Sequence, residues 1–222
     1  MLDFGFYNMD CIEGMRQFPD NYFDLAIVDP VYGDVKQGGY MAGKGGEHAA
    51  KRKNYHLALW SQDKTGPDYF KELFRVSKNQ IIWGGNYFTE YLQPSQGWIV
   101  WDKKHPEGVK FADCELAYTS FNEAVRIFRY LWNGMLQENM KNKEFKIHPT
   151  QKPVALYEWL LRNYAKSDDI ILDTHVGSAS SLIACHNLGF KYIGFEIDTI
   201  YYENAKKRLD AEMAQMNIFE FI

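Results

Sequence analysis

Short apolar runs alternate with helical patterns along this chain, and few folds accommodate that alternation. Residues 23–28, 81–83, 170–172 and 192–195 are nearly continuous in Val, Ile, Leu, Phe, Trp and Tyr. Strands covered on both faces read this way, because neither face meets water. Residues 4–7 form a further candidate strand. Between the runs the period changes. In 67–76, Pro67 stands near a helix start and Phe70, Leu73 and Phe74 fall on one helical face. Residues 153–164 carry Val154, Leu156, Tyr157, Leu160 and Leu161 at helical spacing, 178–188 stops at Gly189, and 200–216 is polar on one face. Strand–helix alternation predicts an α/β fold, doubly wound around a mainly parallel sheet. Residues 98–101 and 115–119 read as an antiparallel strand pair, and 126–132 as one more strand.

At 222 residues and 46% hydrophobic, the chain can bury a core, which excludes a disordered tail and predicts a single domain over 1–222. Met1-Leu2-Asp3-Phe4 offers no basic region ahead of an apolar run, so no signal peptide is expected, and the apolar runs are too short to span a bilayer. Cys11, Cys114 and Cys185 are far apart and odd in number, which fits reduced thiols in a cytoplasmic protein and offers no metal site. A net charge of −4 argues against an indiscriminate coat for nucleic acid.

Three motifs sit where strands end. Asp29-Pro30-Val31-Tyr32-Gly33 follows the first buried run, and ligands of open α/β sheets bind at strand ends. The segment would also serve as an ordinary turn. As a site it offers more. The Asp29 carboxylate accepts one N–H of an exocyclic amine, the Pro30 carbonyl accepts the other, and Tyr32 stacks on the ring that carries the amine. Asp173-Thr174-His175-Val176-Gly177-Ser178 follows a second run and opens a helix; Gly177 permits a tight turn and a close ligand. Glu196 ends the next strand about 20 residues later, where an acid meets ribose hydroxyls. His148-Pro149-Thr150-Gln151-Lys152-Pro153 makes a well-formed helix start, with Thr150 and Lys152 able to receive a carboxylate.

Two segments break the compact pattern. Residues 34–56 are Gly-rich and aperiodic, and Lys36, Lys44, Lys51, Arg52 and Lys53 outnumber Asp34 and Glu47. A mobile loop is expected there, with Lys51, Arg52 and Lys53 as phosphate contacts. Residues 122–147 are also locally basic, a candidate small recognition insertion.

Taken together and in order, these motifs resemble the amino-group DNA methyltransferases that use S-adenosylmethionine. The resemblance covers nearly the whole chain. It includes Asp10-Cys11, Asp29-Pro30-Val31-Tyr32, Ile81-Ile82-Trp83-Gly84-Gly85-Asn86-Tyr87-Phe88, Trp101-Asp102-Lys103, Glu115-Leu116-Ala117-Tyr118-Thr119, 148–153, 173–180 and Gly194-Phe195-Glu196-Ile197-Asp198. The catalytic tetrapeptide precedes the cofactor motif, as in the β group. The resemblance implies the Rossmann-like methyltransferase fold. It implies a target-amine site of Asp29, Pro30 and Tyr32. It also implies a cofactor site of Asp10, the Cys11 backbone, Thr150, Lys152, Asp173, His175, Gly177, Ser178 and Glu196. Asp10 and Cys11 stand at the adenine end, and Thr150 and Lys152 at the methionine carboxylate. The chain departs from the family at Val31, where Pro is usual, and at Thr174, His175, Ala179 and Ser180, which replace Pro, Phe, Gly and Thr. Val31 is not one of the gripping groups. Ala179 adds a methyl beside the cofactor.

The implied activity is transfer of a methyl group to the N6 amine of a flipped adenine in double-stranded DNA. The N4 amine of cytosine is the nearest alternative; Asp29 at the first motif position leans towards adenine within the family. The other alternative is a catalytically weak protein that binds cofactor and nucleic acid. Members of the family often dimerise, so a homodimer is a candidate partner. No membrane partner is expected.

Overall fold

The computed structural model describes residues 1–33, 64–105, 112–133 and 136–219. The apolar run at 23–28 forms strand β2 (Phe23–Val28), and its alternate side chains enter two different cores. Leu25 and Ile27 pack on one face of the sheet, while Ala26 and Val28 pack on the other. A strand buried on both sides needs layers above and below, and the helices supply them. The first face is covered by α3 (Val154–Tyr164) and α4 (Ser180–Leu188), through Leu156, Leu160, Leu161 and Ala184. The second is covered by α1 (Cys11–Met15) and α2 (Pro67–Val76), through Met15, Phe70 and Leu73. The last helix, α5 (Thr199–Phe219), closes a smaller core with α4 through Ala205, Leu209, Leu182 and Ile183.

The main sheet has eight strands in the order β1-β10-β9-β2-β3-β5-β4-β6. They are β1 (Gly5–Asn8), β2, β3 (Ser77–Trp83), β4 (Trp98–Asp102), β5 (Cys114–Thr119), β6 (Arg126–Arg129), β9 (Ile170–Asp173) and β10 (Lys191–Glu196). Only β5 runs against the rest: it pairs antiparallel with β3 and β4, while β6 pairs parallel with β4. A separate small hairpin joins β7 (Trp132–Asn133) to β8 (Leu136–Gln137). The expected doubly wound, mainly parallel sheet with an antiparallel pair is the fold observed.

Three boundaries differ from expectation. Strand β3 begins at Ser77, because α2 runs into it without a loop. The Ser77 hydroxyl donates to the Leu73 carbonyl at 2.5 Å and ties off the helix, and Gln80 donates to Ser77 in turn. Helix α4 begins at Ser180 rather than 178, because Ala179 takes a left-handed conformation, φ 63°, that a helix cannot contain. The single strand expected over 126–132 is two: β6 leaves the sheet edge after Arg129, and Trp132 turns into the hairpin, where its indole N–H donates to the Gln151 carbonyl at 2.8 Å.

The topology fixes where a ligand can sit. From β2 the chain crosses through α2 to β3 on one side; from β9 it crosses through α4 to β10 on the other. The two crossovers diverge between β2 and β9, which are neighbours. The crevice at the carboxyl ends of such a pair is the usual ligand site of open α/β sheets. Asp29 follows the end of β2, and Asp173 ends β9.

Candidate active site

Asp29 leaves β2 at this crevice. Its Oδ2 accepts a hydrogen bond from Lys152 Nζ at 2.5 Å. Its Oδ1 is buried and, among the described residues, has no hydrogen-bond partner. A buried carboxylate oxygen without a donor is costly, and this one is able to accept from a ligand. Burial pushes the Asp29 carboxyl above its ordinary range, opposed by the Lys152 ammonium.

Lys152 is only 4% exposed and extends from the segment that precedes α3. Its ammonium also lies 3.4 Å from Glu115 Oε2 on β5 and 5.4 Å over the Trp83 ring. Lys103, just beyond β4, bonds the other oxygen of Glu115. Lys103, Glu115, Lys152 and Asp29 therefore form a line of alternating charge across the strand ends. The two lysines hold Glu115 down to about 2, against burial, and Asp29 and Glu115 hold Lys152 well above the ordinary lysine range, against burial.

Tyr32 continues the motif. Its ring is stacked on Tyr87, with centroids 4.6 Å apart and planes 10° from parallel, and meets Phe88 edge-on at 6.4 Å. Gly84 makes the approach possible. It has φ +66°, and a Cβ there would lie 2.7 Å from Tyr32 Cδ1. Tyr32 also pairs as an antiparallel bridge with Lys64, and the Thr65 N–H donates to the Val31 carbonyl at 2.8 Å. Residues 31–32 and 64–65, which flank segment 34–63, thus lie side by side. The loop expected at 34–56, with Lys51, Arg52 and Lys53, lies outside the described residues. The segment 122–147 holds the edge strand β6 and the small hairpin.

Three acids line the neighbouring strand ends. Asp173 is buried; its Oδ1 accepts the His175 N–H at 2.9 Å, and its Oδ2 accepts from Ser181. Burial pushes it up to about 6. Glu196, at the end of β10, accepts the Gly177 N–H on Oε2 and the Asp198 N–H on Oε1, both at 2.9 Å. Burial pushes it up to about 7. Asp10, after β1, caps α1 by accepting from the Ile12 and Glu13 N–H groups. Burial raises the Cys11 thiol to about 12, so it stays protonated.

The loop between Asp173 and α4 is a second strained element. Gly177 has φ +57° and faces His148, and Ala179 follows in the left-handed region. Ser178 shares a hydrogen bond with Ser180, and Arg208 binds both the Ser178 carbonyl and Ser180. His175 lies edge-on to Tyr69 at 5.2 Å, and burial lowers it to about 4, which leaves it neutral at pH 7.

The structure brings Asp29, Pro30 and Tyr32 to one strand end and Asp10, Asp173, Gly177, Ser178 and Glu196 to the adjacent ones. Lys152 and Thr150, expected together at a carboxylate, face different partners. The Thr150 hydroxyl is exposed and bonds His148 Nδ1 at 3.1 Å, whereas the Lys152 ammonium turns inward to two carboxylates. A buried ammonium holds its charge only beside such partners. Sequence reading quoted Glu115 and Lys103 within motifs but gave them no role. The signal was an acid in an otherwise apolar strand and a lysine directly after another. Among the described residues, no His, Cys, Asp or Glu cluster could hold a metal ion, and no helix is long and apolar enough to cross a membrane.

The DNA methylase family model of the N6/N4 type matches residues 26–207. Type II methyltransferase M.HpaI of Haemophilus parainfluenzae is 46% identical over 71 residues, 32% of this chain and 23% of that protein. Type II methyltransferase M2.LlaDCHI of Lactococcus lactis subsp. cremoris is 31% identical over 151 residues, 68% of this chain and 49% of that protein. The chain thus spans from about a quarter to about half of these relatives' length. The crystal structure of M1.HpyAVI in complex with SAM superposes with a TM-score of 0.56 at 21% identity, over 91% of this chain and 98% of that one.

Proposed function

This chain belongs to the DNA methylase family of the N6/N4 type, and we propose that it methylates the N6 amine of a flipped adenine in double-stranded DNA, with S-adenosylmethionine as donor. The observation that carries the reading is Asp29 Oδ1: a buried acceptor without a donor among the described residues, beside an aromatic ring, at the point where the crossovers diverge.

The acids on β9, β10 and β1 suit the donor. Glu196 is held by two backbone N–H groups, one on each oxygen, and each oxygen keeps a lone pair for a ribose hydroxyl. Asp10 and the start of α1 flank the adenine end, and Asp173 and Gly177 line the turn between them. S-adenosylmethionine supplies a methyl group on a sulfonium, an electrophile that needs no metal and no enzyme nucleophile.

The chain's own groups hold the amine. Asp29 Oδ1 accepts one amine N–H and the Pro30 carbonyl accepts the other. That grip turns the nitrogen lone pair out of the ring's conjugation and towards the methyl group. As the N–C bond forms, the C–S bond pair returns to sulfur, and the methylated amine releases its extra proton through Asp29 to water. Tyr32 supplies the stacking face. Extruding a base costs a few kcal/mol, and stacking on an aromatic ring returns about 1–3 kcal/mol per base.

An anionic first motif residue favours adenine over cytosine within the family. The test is incubation of duplex DNA with methyl-labelled S-adenosylmethionine, followed by nucleoside analysis. N6-methyladenine is the expected product. N4-methylcytosine would overturn the adenine assignment, and no incorporation would overturn catalysis in favour of a binding protein.

A further inference from the structure

The line of charge through Lys152 is a second device in the same pocket, and its role rests on the amine-site reading of Asp29. Lys152 is nearly fully buried, which an ammonium tolerates only with carboxylate partners. It has two, Asp29 at 2.5 Å and Glu115 at 3.4 Å, and a ring beneath it, Trp83. Glu115 is itself fixed from the other side by Lys103. These four residues come from four places in the chain: the end of β2, the segment before α3, β5, and the residue after β4. Each would be destabilising alone.

We propose that Lys152 is a positioning residue for the amine acceptor, and that Glu115 and Lys103 position Lys152. By occupying Oδ2, Lys152 leaves Oδ1 as the single acceptor of the Asp29 carboxylate and fixes its direction. By lying against the carboxylate, it opposes the upward push that burial gives the Asp29 carboxyl. Glu115 acts in the opposite sense on both counts: it shares the ammonium, and its own charge disfavours a second anion nearby. The other groups facing Asp29 are Tyr32 in the same motif, Tyr69 on α2, Tyr157 on α3 and Asp173 at the end of β9. The tyrosines are held above their ordinary range by burial first, so they do not titrate with it.

The two partners therefore predict opposite responses. In Lys152→Met the acid limb of the pH–rate profile moves to higher pH, and the rate at neutral pH falls by roughly 100-fold, the scale of a misaligned reacting group. In Glu115→Gln, which keeps the shape of the site, the acid limb moves to lower pH. S-adenosylmethionine affinity within about twofold of wild type in both is the expected result, because the Lys152 ammonium is engaged by two carboxylates.

The same midpoints are read without catalysis. The Asp29 carboxyl carbon, labelled with carbon-13 and assigned by its loss in Asp29→Asn, is titrated by NMR in wild type and both variants. An upward shift in Lys152→Met and a downward one in Glu115→Gln support the proposal. If Lys152→Met does not fold, the sign of the Glu115→Gln shift decides alone. Unchanged midpoints, or shifts of the same sign, overturn it. A large loss of donor affinity in Lys152→Met overturns it in favour of a role at the methionine carboxylate. An inactive wild type with opposed midpoints would sink the proposed reaction and leave the positioning role standing.

Discussion

Replacing Gly84 with Ala should disable the base pocket while leaving the fold largely intact. Gly84 lies in the left-handed region at φ +66°, and an added Cβ would come within 2.7 Å of Tyr32 Cδ1 and 2.8 Å of Cε1. Ordinary contact begins at 3.4 Å, so the ring must retreat by roughly 0.7 Å or tilt away from Tyr87. Left-handed backbone costs an L-residue about 1–2 kcal/mol. Restricting the unfolded chain returns about 0.4–1 kcal/mol of that. The net loss is about 1 kcal/mol, which for a chain of this size lowers Tm by about 2–4 °C. The effect on rate is larger, because a displacement approaching 1 Å in a reacting pair costs up to about 100-fold. Turnover of duplex DNA is expected to fall by roughly 10- to 100-fold with donor affinity unchanged. The loss should also vanish in a Tyr32→Ala background, since the two residues act through one ring. Full turnover in Gly84→Ala, or an additive loss on top of Tyr32→Ala, would refute the argument that Gly84 serves Tyr32.

Asp29→Ala should abolish transfer with the fold retained, whereas Tyr32→Phe should remain active because stacking requires only the ring; steady-state rates and circular dichroism check both. Glu196→Ala should weaken S-adenosylmethionine by about 1–3 kcal/mol, measured by titration calorimetry. Burial raises Glu196 from 4.5 to about 7, so between those values the folded chain holds a proton that the unfolded chain has released. Wild-type stability relative to Glu196→Gln should therefore fall as pH rises from about 5 to about 7.5, which denaturation at a series of pH values would show. Replacing Lys51, Arg52 and Lys53 together by Ala should weaken DNA binding and flatten its dependence on salt; normal binding across a salt series would remove these residues from the DNA-facing surface.

Much of the fold can be read along the chain because its signals are local. Phe23–Val28 and Pro67–Val76 occupy the residues their patterns predict. A run buried on both faces and a Pro-started amphipathic turn need no distant partner to declare themselves. The strand ends were legible for the same reason: Asp29, Asp173 and Glu196 each follow an apolar run. The partner of Lys152 was not. A lysine beside a helix start looks the same whether it faces an anion or turns into the core, and the acid it meets lies 123 positions away. Ala179 was illegible in another way. Its methyl was expected to crowd the cofactor, but nothing in an alanine announces a left-handed backbone, which is set by how Asp173, Gly177 and Arg208 hold the turn.

The bridge between Tyr32 and Lys64, with the Thr65–Val31 hydrogen bond beside it, works as a collar on segment 34–63. What lies beyond a collar of this kind can change length at little thermodynamic expense: doubling a flexible loop adds only about 0.6 kcal/mol of closure entropy. The bridge is made by Tyr32 itself, so a change in the length of that connection would leave β2, β3 and the strands that carry Asp173 and Glu196 in place. A lineage built on this frame can vary that connection while Asp29, Asp173 and Glu196 keep their places at the strand ends.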